Sequence, residues 1–172
     1  MEKNILFCLA ETDDMDALCC YLDKLGNETR KRFGPHAFNK ETLFQLINDM
    51  NYNLFIAKSL EDDTIVGYAI LKTGWLDFEY PRLQRYGMNP EPGDCTIAPS
   101  IADSWQGKGI GFTFLSFLIE YVRKNLNFRR IFLWGGVQND NMKAVRLYQK
   151  TGFRELGRFE HNGLNLDMIL EL

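Results

Sequence analysis

The sequence predicts an α/β fold (mixed α+β) in one domain over residues 1–172, and three patterns carry that prediction. The first is an apolar strand beginning at Cys95, a turn with glycine at positions 107, 109 and 111, and a dense apolar run over residues 112–122 that reads as a buried helix. The second is a further apolar run over residues 130–137, with Ile131, Phe132, Leu133 and Trp134 inside it. Strand, helix and strand at this spacing require the two strands to run parallel with a right-handed crossover. The third is a pair of alternating segments, 52–72 and 154–170, each of which reads as a hairpin.

Taken in order, residues 4–10 make a short apolar strand. Asp13 or Asp14 is placed to cap a helix over residues 15–25, which Gly26 ends as helices often end. Residues 27–32 are polar and basic, and Gly34-Pro35 breaks the chain. Asn39 offers an N-cap for a helix through Met50, with Leu43, Phe44, Ile47 and Met50 as its apolar stripe. Residues 52–59 and 64–72 are strands turned at Glu61-Asp62-Asp63.

The stretch 73–94 holds Pro81, Pro90 and Pro92 and reads as a long irregular loop. Its aromatics, Trp75, Phe78, Tyr80 and Tyr86, argue against disorder. Two readings stay open: a lid or acceptor-binding wall, or a satellite core beneath a loop. Further on, Asn139 or Asp140 caps a helix over residues 141–151, Gly152 sits at its C-cap, and the last hairpin turns at His161-Asn162-Gly163.

Composition limits the function classes. A hydrophobic fraction of 45% and 13% aromatics describe a chain that folds, long enough at 172 residues to bury a core. A net charge of −3 gives no global field toward nucleic acid or anionic membrane. With no basic-then-apolar leader and no apolar run of spanning length, the expectation is a cytoplasmic protein with neither nucleic acid nor membrane as partner. Cys8, Cys19, Cys20 and Cys95 have no C-x-x-C spacing, and with only His36 and His161 there is no zinc pattern. Cys95 reads as a small core residue.

A glycine-rich turn feeding a helix leaves backbone N–H groups unpaired at the positive end of the helix dipole, which suits an anion such as phosphate. Two known phosphate loops are excluded by named residues. A dinucleotide turn needs G-x-G-x-x-G, but Phe112 stands where the third glycine belongs. A nucleoside-triphosphate loop needs Gly-Lys followed by Ser or Thr, but Gly109 follows Lys108.

Gln106-Gly107-Lys108-Gly109-Ile110-Gly111 resembles the signature turn Gln/Arg-x-x-Gly-x-Gly/Ala of the N-acetyltransferase (GNAT) superfamily, which uses acetyl-coenzyme A. A second segment, from Asn141 through Ala144 and Tyr148 to Gly152-Phe153, is similar to that family's later motif Asn-x-x-Ala-x-x-x-Tyr-x-x-x-Gly-Phe. Two motifs in the right order are far more specific than either alone. The likeness is strong over the C-terminal half of the chain and rests on element order in the N-terminal half.

The resemblance implies a mostly antiparallel mixed sheet with a parallel, splayed central pair and about four flanking helices. It implies acetyl-coenzyme A as cosubstrate, a primary amine as acceptor, direct attack in a ternary complex, no metal, and a monomer or homodimer. Carried over by position, the amides of Gly107, Lys108, Gly109, Ile110, Gly111 and Phe112 hold the pyrophosphate, with Gln106 heading the turn. Backbone groups at Ile101 and Ala102 pair with the pantetheine arm as with an added strand, and Asn141 contacts the coenzyme. Tyr148 becomes the general acid toward the departing thiolate, with the alternative that it packs beside Phe153. The N–H of Ala102 or a neighbour meets the developing oxyanion. Among Glu79, Asp94, Asp103 and His36, no motif selects a general base.

Pro99 departs from a regular central strand: it marks either a bulge that fits the splay or a strand that starts later. Two other functional readings stand beside the enzyme: an acyl-coenzyme A sensor without catalysis, and a protein-interaction domain using the aromatic segment 75–86.

Overall fold

The computed structural model describes residues 4–172. It is a mixed α/β structure that divides into two compact units, 4–71 with Ala98–Leu118 and Lys72–Ile97 with Ile119–Leu172.

In the first unit, β1 (Ile5–Leu9), β2 (Tyr52–Ser59), β3 (Ile65–Thr73) and the second half of β4 (Asp94–Ile101) lie in that order. β1 pairs antiparallel with β2 from Ile5↔Ser59 to Leu9↔Phe55. The helices are α1 (Met15–Asp23), α2 (Asn27–Arg32), α3 (Lys40–Ile47) and the start of α5 (Ile110–Asn125). α5 docks through Phe114, whose ring stacks on Phe7 at 5.5 Å, and Phe117, which meets Phe55 edge-on at 6.4 Å.

Two expectations change here. Gly26 has φ −68° and is the N-cap of α2, not a left-handed C-cap; the polar run 27–32 is helical. Arg30 seals the preceding helix end instead, donating to the carbonyls of Leu22, Asp23 and Leu25. Asn39 does cap α3, accepting from the Thr42 amide at 2.8 Å, but α3 stops at Ile47 and leaves Met50 92% exposed, outside the apolar stripe.

In the second unit the first half of β4 runs parallel to β5 (Arg130–Leu133), from Asp94↔Arg130 to Ile97↔Leu133. β8 (Leu164–Glu171) follows antiparallel, then β6 (Val137–Gln138), while β7 (Arg154–Glu160) forms the last hairpin with β8. The predicted strand 130–137 is thus interrupted at Trp134–Gly136. Gly135 and Gly136 have φ +66° and +71°, and a Cβ on Gly136 would come within 2.7 Å of the Leu166 carbonyl oxygen. α6 (Met142–Lys150) has Asn141 as its N-cap, in place of Asn139 or Asp140.

The stretch 73–94 is not irregular: a 3₁₀ turn leads into α4 (Tyr80–Arg85), with Pro81 in the first turn where its missing N–H costs nothing. Trp75 and Leu83 are 1% and 2% exposed and cluster with Phe132 and Ile169, which is the satellite-core reading and leaves the aromatic interaction surface without its tryptophan. Polar contacts fasten α4. Arg82 donates twice to Asp167 (2.6 and 3.0 Å) and lies 3.8 Å over the Phe159 ring. Tyr86 donates to Asp167 at 3.0 Å, its ring so close to β7 that a Cβ on Gly157 would fall within 2.2 Å.

Glu79 accepts from the amides of Gly135 (2.6 Å) and Leu76 (3.3 Å). Burial outweighs those donors and Arg82 at 3.6 Å, pushing its carboxyl up to about 7.

Two stability measurements follow. Asp167→Ala strands a buried guanidinium and is expected to lower unfolding free energy by about 3 kcal/mol in urea titrations, against no measurable loss if the pair is idle. For Glu79 the folded state holds a proton that the unfolded chain releases near pH 4.5, so its contribution is full below that pH and is lost as pH rises toward 7. The stability difference between wild type and Glu79→Gln should therefore change by about 3 kcal/mol between pH 4.5 and 8; a flat difference contradicts the buried proton.

Candidate active site

β4 is the natural starting point because its two edges differ. The amide of Ala102, just past its end, donates to Val66 of β3 at 2.9 Å, and the Gly74 amide donates to Asp94, so even-numbered residues face β3. Odd-numbered residues face the opposite edge, where Ile97 accepts from the Trp134 amide at 2.9 Å and the β5 register ends. Pro99 and Ile101 lie on that odd edge. The strand does not start late: it opens at Asp94 and runs through Pro99, whose missing N–H removes nothing from the β3 ladder.

This alternation corrects one expectation. The Ala102 amide is bonded to Val66, and its carbonyl accepts from the Trp105 amide at 2.8 Å. The Ala102 N–H is therefore already engaged and does not point to a pantetheine arm or an oxyanion. Ile101 is the residue whose amide points the other way, and its side chain covers Gly67, where a Cβ would meet Ile101 Cδ1 at 2.8 Å.

The turn after β4 depends on glycine at two positions. Gly107 and Gly109 have φ +72° and +85°, a left-handed geometry that an L side chain resists. The Gly109 carbonyl accepts from the amides of Phe112 (3.1 Å) and Thr113 (3.3 Å), which makes Gly109 the N-cap of α5. Phe112 therefore leaves the expected set of donors. The backbone ladder of α5 opens with the Phe112 and Thr113 amides, so the amides of Gly109, Ile110 and Gly111 precede its first bonds. Lys108 does not reach outward: its ammonium donates to the Ser104 carbonyl and sits 5.5 Å from the Trp105 ring centre. Gln106 turns back on the strand, its Nε2 donating to the Ile101 carbonyl at 3.1 Å and to Thr29 at 3.2 Å.

In the second unit, Asn141 accepts from the Ala144 amide at 3.4 Å with its side-chain oxygen, leaving its NH₂ group outside the helix ladder. Tyr148 stands two turns further along α6. It is 8% exposed, its ring packs on Phe153 at 5.5 Å, and burial raises its phenol above the ordinary value, so it stays protonated through the physiological range.

The candidate bases have separate surroundings. Asp94 is gripped by Arg130 (2.6 and 2.7 Å) and accepts the Glu91 amide, a structural role. Asp103 accepts from Gly26 and Thr29, bonds that hold its carboxyl below the usual range. His36 donates from Nδ1 to the Ala37 carbonyl, so Nε2 accepts from the Tyr68 hydroxyl at 2.9 Å, and burial keeps the ring neutral. Cys95 is fully buried with its thiol pushed up, as a core residue should be. Among the described residues no cluster of metal-ligating side chains occurs, and no helix is long and apolar enough to cross a membrane.

Known proteins resemble this chain in sequence and in fold. The spermine/spermidine N(1)-acetyltransferase of Bacillus subtilis (strain 168) is 36% identical over 72 residues, which cover 42% of this chain and 45% of that protein. The probable spermine N(1)-acetyltransferase of Bacillus subtilis subsp. natto is 37% identical over 68 residues, or 40% and 43% of the two chains. Each match spans less than half of the curated relative. The fold matches a GNAT-family acetyltransferase from Streptococcus pneumoniae with a TM-score of 0.74 at 20% identity, covering 98% of this chain and 99% of that one. It also matches the aminoglycoside acetyltransferase AAC(6')-Ib solved with coenzyme A, at a TM-score of 0.71 and 19% identity over 97% and 94% of the chains. The description of the acetyltransferase (GNAT) family matches residues 22–153, and the chain belongs to that family.

Proposed function

We propose that this protein is an N-acetyltransferase that moves an acetyl group from acetyl-coenzyme A to a primary amine. The observation that carries the reading is the turn at Gly107–Gly111, with two left-handed glycines leading into the first amides of the sixteen-residue α5. Amides so placed suit a diphosphate. Bound acetyl-coenzyme A supplies an activated acyl group. Ile101, on the odd edge of β4, is the residue proposed to offer backbone pairing to the pantetheine arm, and the Asn141 NH₂ a further coenzyme contact.

In the transfer, a neutral amine nitrogen bonds to the acyl carbon, the carbon–sulfur bond breaks, and one proton leaves the nitrogen while another reaches the sulfur. Tyr148 is the proposed donor to sulfur. Its burial keeps the phenol protonated but makes it a weaker acid than the thiol it would form, so the transfer depends on direct contact with the sulfur; the resemblance of the later motif supports this placement. The proton leaving the nitrogen passes to solvent in this scheme, since Asp94, Asp103 and Glu79 are each held by donors of the protein itself.

A small polyamine is the acceptor class to try first. The two curated relatives are named for spermine and spermidine, and a net charge of −3 favours a cation over a polyanion.

Gly109→Val forces a branched side chain into φ +85° and should abolish coenzyme A binding in calorimetry; intact affinity would remove the turn from the coenzyme site. Tyr148→Phe should lower kcat for thiol release on polyamine pools by about 10²-fold, the scale of one proton transfer, with coenzyme affinity kept. Unchanged kcat would leave Tyr148 a packing residue.

A further inference from the structure

The turn between β4 and α5 is pinned from outside through Asp103, which neither coenzyme motif contains. Asp103 Oδ2 accepts the Gly26 amide at 2.9 Å, and Asp103 Oδ1 accepts the Thr29 hydroxyl at 2.7 Å. The same hydroxyl oxygen accepts from Gln106 Nε2 at 3.2 Å, and that nitrogen also donates to Ile101 at 3.1 Å. The bonds form a closed circuit from the end of β4 through Gln106, Thr29 and Asp103 to Gly26. Gln106 is the residue directly before Gly107, so both ends of the connection 103–106 bear on one short span of α2.

α2 depends on such ties. It has six residues, none of them buried, and a helix that short does not persist on its own propensity. Its link to α1 is the Arg30 guanidinium on the Leu22, Asp23 and Leu25 carbonyls, which joins the two helices as a corner. Tyr21 of α1 also bonds Ser100 of β4 at 3.0 Å, so the corner touches the strand one residue before Ile101. A group that immobilises the glycine turn therefore immobilises the partners that Thr29 and Gly26 need. Linkage requires the converse too: an ordered α2 presents a better-formed turn.

We propose that Asp103 is a positioning residue that couples coenzyme occupancy of the glycine turn to the order of the α1–α2 corner. The inference rests on the reading that coenzyme A binds at Gly107–Gly111.

The sequence supplies the reporter, because α2 carries three consecutive tryptic sites, Arg30, Lys31 and Arg32. Limited trypsinolysis of the full chain, followed by mass spectrometry of the 30–32 cut, is run with and without saturating coenzyme A, alongside calorimetry. Wild type is expected to be cut several-fold more slowly with coenzyme. Asp103→Ala should still bind it, with Kd raised about tenfold (the scale of one charge-assisted bond), and should lose the protection even at saturation. Protection unchanged in an Asp103→Ala chain that still binds coenzyme overturns the coupling alone. Absence of coenzyme binding by wild type overturns the underlying reading with it. Should Asp103→Ala fail to fold, Thr29→Val removes one hydroxyl and keeps the carboxylate. Partial loss of protection there supports the coupling, and full protection contradicts it.

Discussion

The rest of the structure depends on the alternation of backbone groups along β4. A strand offers hydrogen bonds to its two sides at alternate residues, so the side that ends first is decided by residue parity. On the even side β4 stays bonded to β3 up to the Val66–Ala102 contact; on the odd side the β5 register stops at Ile97. Proline at position 99 falls on the odd side, where a lost donor interrupts no ladder. The residue left with its amide on that side is Ile101, immediately before the chain turns into its glycines. The proposed coenzyme groups of this segment thus follow from a single odd-numbered edge.

A second constraint governs the other unit. Leu133 and Val137 both belong to strands that pair with β8 or β4, yet four residues must be accommodated between Phe132↔Ile169 and Val137↔Leu166 where β8 supplies only two. The excess forms the Gly135–Gly136 turn, which Glu79 holds through the Gly135 amide. Arg82, Tyr86 and Asp167 fasten the same α4 segment to β8, so a stretch rich in proline and aromatics becomes ordered by contacts distant in sequence.

Those distant contacts also explain what the sequence made legible. Strands with a clear alternation, the long α5 and the two coenzyme motifs are local patterns, and they stand close to where the residues placed them. α2 was hidden because its residues are polar all round and its order comes from Asp103, 74 positions away from Thr29. α4 was hidden because Pro81 reads as a breaker, although proline is welcome in a first turn. Gly26 read as a stop signal, but its φ of −68° is one any residue adopts, so its position near a helix end carried no conformational information. In the candidate site the positions of the turn glycines were legible, and Gly107 and Gly109 take the left-handed geometry that favours glycine. The engagement of Ala102 was not legible, because strand parity depends on which neighbour pairs first, and that is set by β3.

The central claim is that main-chain hydrogens from Gly107 to Gly111 hold a diphosphate. The most direct measurement is an amide NMR titration with coenzyme A and, separately, with pantetheine, which has the arm but no diphosphate. The account predicts large shifts at Gly107, Gly109 and Gly111 with coenzyme A and none of comparable size with pantetheine. Equal shifts with both ligands, or coenzyme A binding that leaves these three glycines unmoved, would contradict it.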